Sequence, residues 1–142
     1  MKKTFLILAV LLAAVAWASD KQESVDSLKA RVEKTPPKEQ VELLLRITER
    51  QVEAMDKAYT EGNIEVAQAA LADVQKYGVE AANTSAQSGK RMKQTEIALR
   101  KMTLRMESIR KTLEVDDRPP VAEAIQKIEN ARSELLNRMF RK

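Results

Sequence analysis

Three properties of this chain of 142 residues predict an all-α fold. Ala, Glu, Lys, Arg, Gln and Leu dominate it, and all are strong helix formers. The breakers are few and stand apart: Gly62, Gly78, Gly89 and the proline pairs Pro36-Pro37 and Pro119-Pro120. Between them apolar residues recur three and four apart, and no run of alternating β-branched residues reads as a strand. These observations predict an elongated antiparallel helical bundle built on one long central helix, about 64–114. Helices over about 38–60 and 121–139 flank it, and a short N-terminal helix precedes them.

The chain opens on a leader. Lys2 and Lys3 precede an unbroken apolar run from Phe5 to Ala16, closed by the small-x-small triplet Ala16-Trp17-Ala18 and the polar stretch Ser19-Asp20-Lys21-Gln22-Glu23. That layout predicts a signal peptide over residues 1–18, with cleavage after Ala18. The alternative is a retained anchor, although a spanning helix takes about 20 apolar residues and this run is shorter. No cysteine follows the run, so lipid modification is excluded. The double-lysine, short-core form is bacterial in style. The expectation is a periplasmic or extracellular protein whose residues 19–142 form a single helical domain with no transmembrane helix after cleavage.

The exported part has no tryptophan and keeps only Tyr59, Tyr77 and Phe140 as aromatics. Large aromatics supply much of the buried area of thick cores, so a thin bundle with seams of Leu, Ile, Val, Met and Ala is expected. No cysteine is present to staple it, although export would permit disulfides.

Each helix has its own warrant. Val25, Leu28 and Val32 mark a short, mostly polar first helix, about 22–33, which Thr35-Pro36-Pro37 ends; proline suits the first turn of the next. Val41, Leu44, Leu45, Thr48, Val52, Met55 and Tyr59 form one stripe of the second. Glu61-Gly62-Asn63 closes it, with Gly62 suited to a left-handed C-terminal cap. From there Ala67, Leu71, Val74, Gly78, Ala81, Ser85, Ser88, Met92, Thr95, Leu99, Met102, Met106, Ile109 and Leu113 follow in alternating steps of four and three. A seam sustained at that period predicts one coiled-coil-like rod from Ile64 to Glu114, about 75 Å long at 1.5 Å per residue. The competing reading places a break within Asn83–Gly89, because glycine inside a helix costs up to about 1 kcal/mol against alanine. Val115 to Pro120 is the last turn, and Val121, Ala124, Ile125, Ile128, Leu135 and Met139 mark the final helix.

Two short segments resemble known families. Ala58 to Ala67, with Leu71 and Val74, resembles the central part of a tetratricopeptide repeat: a tyrosine, a Gly-Asn turn, then a small residue five after the glycine. The resemblance occurs once, and a repeat array needs about three units, so it implies a helical hairpin and no solenoid. Ile47-Thr48-Glu49-Arg50-Gln51 resembles the Leu-Thr-x-x-Gln signature of the Spy/CpxP family of small periplasmic helical proteins. Isoleucine here replaces leucine, and no second copy appears. That resemblance implies an envelope chaperone. As a whole, the exported part is similar to uncharacterised small exported helical proteins of bacteria.

The inventory for chemistry is thin. Histidine and cysteine are absent, and these are the ligands transition-metal sites usually require. Met92, Met102 and Met106 fall on the seam, where methionine fills gaps, and Asp116-Asp117 with Glu114 lacks EF-hand spacing. Ser88 and Lys90 are a conceivable Ser-Lys pair without an oxyanion hole. Ser88-Gly89-Lys90-Arg91 lacks the leading glycine of a phosphate loop. No catalytic residue, metal or cofactor is expected.

Charge is uneven. Residues 19–80 carry a net −4 and residues 81–142 a net +6. Lys90, Arg91, Lys93, Arg100, Lys101, Arg105, Arg110 and Lys111 face only Glu96 and Glu107 in their stretch, a candidate contact for an anionic envelope surface. Nucleic acid is not an expected partner outside the cytosol. The functional expectation is a non-enzymatic exported protein that works through protein–protein contacts, as a homodimer or an adaptor. The alternative is a Spy/CpxP-like chaperone or a factor that binds anionic surfaces through its basic second half.

Overall fold

A computed structural model describes residues Glu23 to Arg141. The proposed signal peptide lies outside these residues. They form five α-helices and a single 3-10 turn, with no strand among them: α1 (Val25–Lys34), α2 (Pro37–Thr60), α3 (Ile64–Ser88), α4 (Met92–Thr112) and α5 (Arg118–Phe140), the 3-10 turn being Val115–Asp117. The all-α prediction holds.

The single rod does not. Gly89 adopts the left-handed conformation, φ 69°, and its N–H closes α3 on Ser85 O. Arg91 is also left-handed, φ 56°. The Ser85 hydroxyl donates to Lys90 O at 2.6 Å, and the Ser88 hydroxyl accepts from Lys90 N–H at 3.2 Å. These serines therefore satisfy a chain reversal, and the helix starts afresh at Met92. The physical reason is burial: a folded-back α4 covers its apolar stripe on α5 and α2, whereas a rod would leave much of it to a partner. The seam itself is right about burial. All of its residues are buried except Ser88, Met92 and Leu113, which are half-buried.

α2 and α3 form an antiparallel hairpin. Gln51 donates to Asp73 at 2.7 Å, and the turn uses Gly62 at φ 76° and the Asn63 side chain, which accepts from Val66 N–H. The tetratricopeptide-like segment is this hairpin. α4 and α5 form a second antiparallel hairpin, laid on the first in the same direction. Two exposed ion pairs mark the parallel register of α2 and α4, Arg91–Glu42 at 3.5 Å and Arg105–Asp56 at 3.6 Å. α5 runs parallel to α3, and its buried positions Val121, Ala124, Ile128, Ala131 and Leu135 answer Leu71, Val74, Gly78, Ala81 and Ser85 of α3.

α3 and α5 cross closely at Gly78. A Cβ built there would stand 3.2 Å from Ile128 Cδ1 and 3.4 Å from Thr48 Cγ2. The small residue is required by packing at a three-helix meeting point.

α1 covers the opposite side of the first hairpin. Although mostly polar, it is tied down. Ser24 caps it by accepting from Ser27 N–H, and Leu28 is wholly buried against Leu43, Leu44, Ile47, Tyr77 and Ala81. Lys29 binds Asp73 at 2.7 Å; that hydrogen bond outweighs desolvation and raises the lysine pKa. The molecule is thus three layers, α1, then α2–α3, then α4–α5.

Candidate functional site

The cations singled out in the second half do not form one patch. Lys90 and Arg91 lie in the reversal between α3 and α4, and the other six lie on α4. Arg91 and Arg105 turn toward α2 and meet Glu42 and Asp56. Arg100 sits 3.9 Å from Glu96, and Arg110 grips Glu107 one turn earlier. This pairing holds the Glu107 carboxyl below the ordinary range and the guanidinium above its own. Lys90, Lys93, Lys101 and Lys111 make no ion pair among the described residues and are exposed.

Helical phase explains the split. The buried residues of α4 are Thr95, Glu96, Leu99, Met102, Thr103, Met106 and Ile109. At 3.6 residues per turn the opposite face carries Lys93, Arg100, Leu104 and Lys111. Leu104 is 64% exposed in the midst of these cations. It is a large apolar side chain on the free face of the outer layer.

The inner flank of α4 carries a polar clasp to α5. Arg132 donates to Glu96 at 2.8 Å and to Glu129 at 2.7 Å, and Thr103 donates to Glu129 at 2.6 Å. Burial pushes the Glu129 carboxyl up, but Arg132 and Thr103 outweigh it and its pKa falls below the ordinary range. Glu96, only 8% exposed, is thereby compensated, as a buried carboxylate must be. These residues lock the second hairpin in register and leave no free charge in its core.

The sequence reading missed how the fold sorts charge along the bundle axis. At the end where α3 stops and α4 starts, α5 also stops. Arg138 and Arg141 share a groove with Ala86 and Gln87 of the last turn of α3, and the start of α2, including Lys38, borders Thr84, Gln87 and Ser88 from the other side. The antiparallel register of α4 and α5 brings Lys93 to the same end. Phe140 there is 77% exposed, the most exposed of the large apolar side chains described. Glu33, Glu39 and Glu134 are carboxylates nearby that no cation engages among the described residues. The other end is acidic: Glu61 and Glu65 flank the α2–α3 turn, and Glu114, Asp116 and Asp117 lie in the α4–α5 connection. Asp117 approaches Tyr59 at the end of α2, and burial together with this charge raises the phenol pKa. Val66 and Val115 are exposed at this acidic end, 51% and 70%. Only helix register reveals either grouping, because residues from distant parts of the chain compose each.

Other sequence candidates resolve into structure. Ser88 and Lys90 are turn partners. Met102 and Met106 are buried and Met92 is half-buried, all on the seam. In the Spy/CpxP-like pentapeptide, Ile47 and Thr48 are core residues and Gln51 serves Asp73. Among the described residues no group of three or more His, Cys, Asp or Glu side chains stands ready to hold a metal ion. No helix among them is long and apolar enough to cross a membrane. Comparison of the chain with protein-family models, curated proteins and solved structures finds no match to any of them.

Proposed function

We propose that the chain is an exported, non-catalytic protein that works by binding another protein through the free face of its second hairpin. The observation that carries this is Leu104. In stacked helical hairpins the terminal layer is normally closed by a polar outer face. Here that face keeps a leucine exposed near its centre, with Arg100 one turn away on the same stripe of the helix and Lys101 on its flank. An apolar centre within a charged rim is the anatomy of a protein contact. Export rests on the leader over residues 1–18.

Two experiments test the proposal. Cell fractionation must recover the chain, shortened by the leader, outside the cytosol; a cytosolic full-length chain ends the export part. A photo-crosslinking residue at Leu104 should then trap a discrete protein adduct, and the same residue at exposed Ala122 on α5 should trap much less. Equal labelling from both positions ends the contact part.

A further inference from the structure

The two ends of the bundle complement each other. One presents Lys90, Arg138 and Arg141, which together with Lys38 outnumber Glu33, Glu39 and Glu134, and the exposed ring of Phe140. The other presents Glu61, Glu65, Glu114 and Asp116, with Lys111 as its exposed cation, and the exposed side chains of Val66 and Val115. The named cations make no ion pair among the described residues. Of the carboxylates only Glu61 is engaged, by Lys57 at 3.9 Å, both side chains being largely exposed.

We propose that the occupant of the basic end is the acidic end of a second copy, so that the chain associates head to tail. Charge complementarity sets the orientation, and like ends repel. The exposed apolar side chains, Phe140 at one end and Val66 and Val115 at the other, add apolar contact area. Because the two surfaces differ, the contact is heterologous and does not close on itself at two copies. It goes beyond the protein-contact reading by naming a partner for a second surface, separate from the Leu104 face.

Size bounds its strength. The end of a bundle of four helices, each about 10 Å across, offers on the order of 400 Å² per copy, at the small, transient end of protein interfaces. The association is therefore expected to be weak and transient, not a permanent dimer.

The test uses the exported form, residues 19–142, of which 23–141 are one packed bundle. One variant blocks the basic end with Lys90→Gln, Arg138→Gln and Phe140→Ser. A second blocks the acidic end with Glu65→Gln, Asp116→Asn and Val115→Ser. All six positions are exposed, and unchanged thermal unfolding by circular dichroism confirms that each variant is folded. Sedimentation equilibrium from about 10 μM to 1 mM at low salt should show the wild-type mass rising past that of a dimer and falling back as salt is added. Each variant alone should associate at least tenfold more weakly, and an equimolar mixture should form dimers and stop there. A wild type that stays monomeric, a mass that saturates at two copies, or variants that associate as well as wild type each overturn the proposal. So does salt-sensitive binding to phosphatidylglycerol vesicles that the basic-end variant loses, if self-association is unaffected; the basic end then serves a lipid surface. None of these outcomes bears on Leu104 cross-linking, so this inference and the wider contact reading fail separately.

Discussion

The crossing of α3 and α5 can be tested at a single methyl group. Gly78 lies in the middle of α3, where alanine would ordinarily stabilise the helix by up to about 1 kcal/mol. The added Cβ would stand 3.2 Å from Ile128 Cδ1, 3.3 Å from Ile128 Cγ1 and 3.4 Å from Thr48 Cγ2. Carbon pairs are comfortable at about 3.5–4.0 Å, so both Ile128 contacts are short by a few tenths of an ångström, while Thr48 stands at the near edge of ordinary contact. Ile128 and Thr48 are both wholly buried and have no open side to retreat to. Forcing a methyl into a filled core costs about 1–3 kcal/mol, which exceeds the propensity gain. Gly78→Ala should therefore destabilise the protein by about 1 kcal/mol. Ile128→Val removes Cδ1, the nearest atom, and should itself cost about 1 kcal/mol. In that background much of the clash disappears, and Gly78→Ala should be neutral or stabilising. Urea unfolding of the four proteins, followed by ellipticity at 222 nm, gives the coupling, expected to be favourable by about 1 kcal/mol. A stabilising Gly78→Ala in wild type, or additive effects of the two substitutions, would show that α3 and α5 do not meet there.

Three further predictions follow from named contacts. Leu99→Asp should lower stability by several kcal/mol, because Leu99 is wholly buried and a carboxylate there finds no partner; Lys101→Asp on the exposed flank should change it by less than about 0.5 kcal/mol, and equal urea midpoints for the two would contradict the assigned face. Gly89→Ala should cost about 1–2 kcal/mol, since the residue holds φ 69° and a Cβ resists that conformation, whereas Arg91→Gly at φ 56° should be neutral or stabilising; the opposite order would mean that α3 and α4 are continuous. Glu129 is held below the ordinary carboxylate range, so its contribution is present above that range and is lost as pH falls through the lower, folded value. A thermal melt series in acid should show a loss of stability that Glu129→Gln reduces, and an unchanged acid profile in the variant would remove the clasp from the account.

Burial was far more legible in the sequence than continuity. The alternating steps of four and three from Ala67 to Leu113 correctly marked which side of each helix is covered. They failed to show that the chain reverses within the set, because period is blind to direction. Three residues, Gly89 to Arg91, fit between Ser88 and Met92 at the same spacing a continuous helix would use. The signal that a break was due was local: Ser85, Ser88 and Gly89 close together, and no apolar residue between Ala86 and Met92. Their role depends on hydroxyls meeting Lys90, a tertiary detail of the turn. Leu43, Ile47 and Ala58 of α2 were missed as core for a related reason. One stripe was expected, but α2 is covered on two sides, by α1 and by the second hairpin.

The candidate surface was legible only as a surplus of charge. Counting placed eight cations between Lys90 and Lys111, but helix phase and the parallel register with α2 then divided them. Arg91 and Arg105 became staples to Glu42 and Asp56, and Arg110 closed on Glu107. The surface that remains draws on Arg138, Phe140 and Arg141, residues with no local mark of interest. A net charge of +6 over residues 81–142 includes Arg132, whose charge is consumed by Glu96 and Glu129 in the clasp, and Glu114, Asp116 and Asp117, which stand at the far end. Composition by halves therefore mixes two ends of opposite sign. Both hairpins begin at the basic end and turn at the acidic one, so charge alternates along the chain with each reversal. Read in space instead of in sequence, it becomes a gradient along the bundle, which is why the eight cations do not gather into one lateral patch.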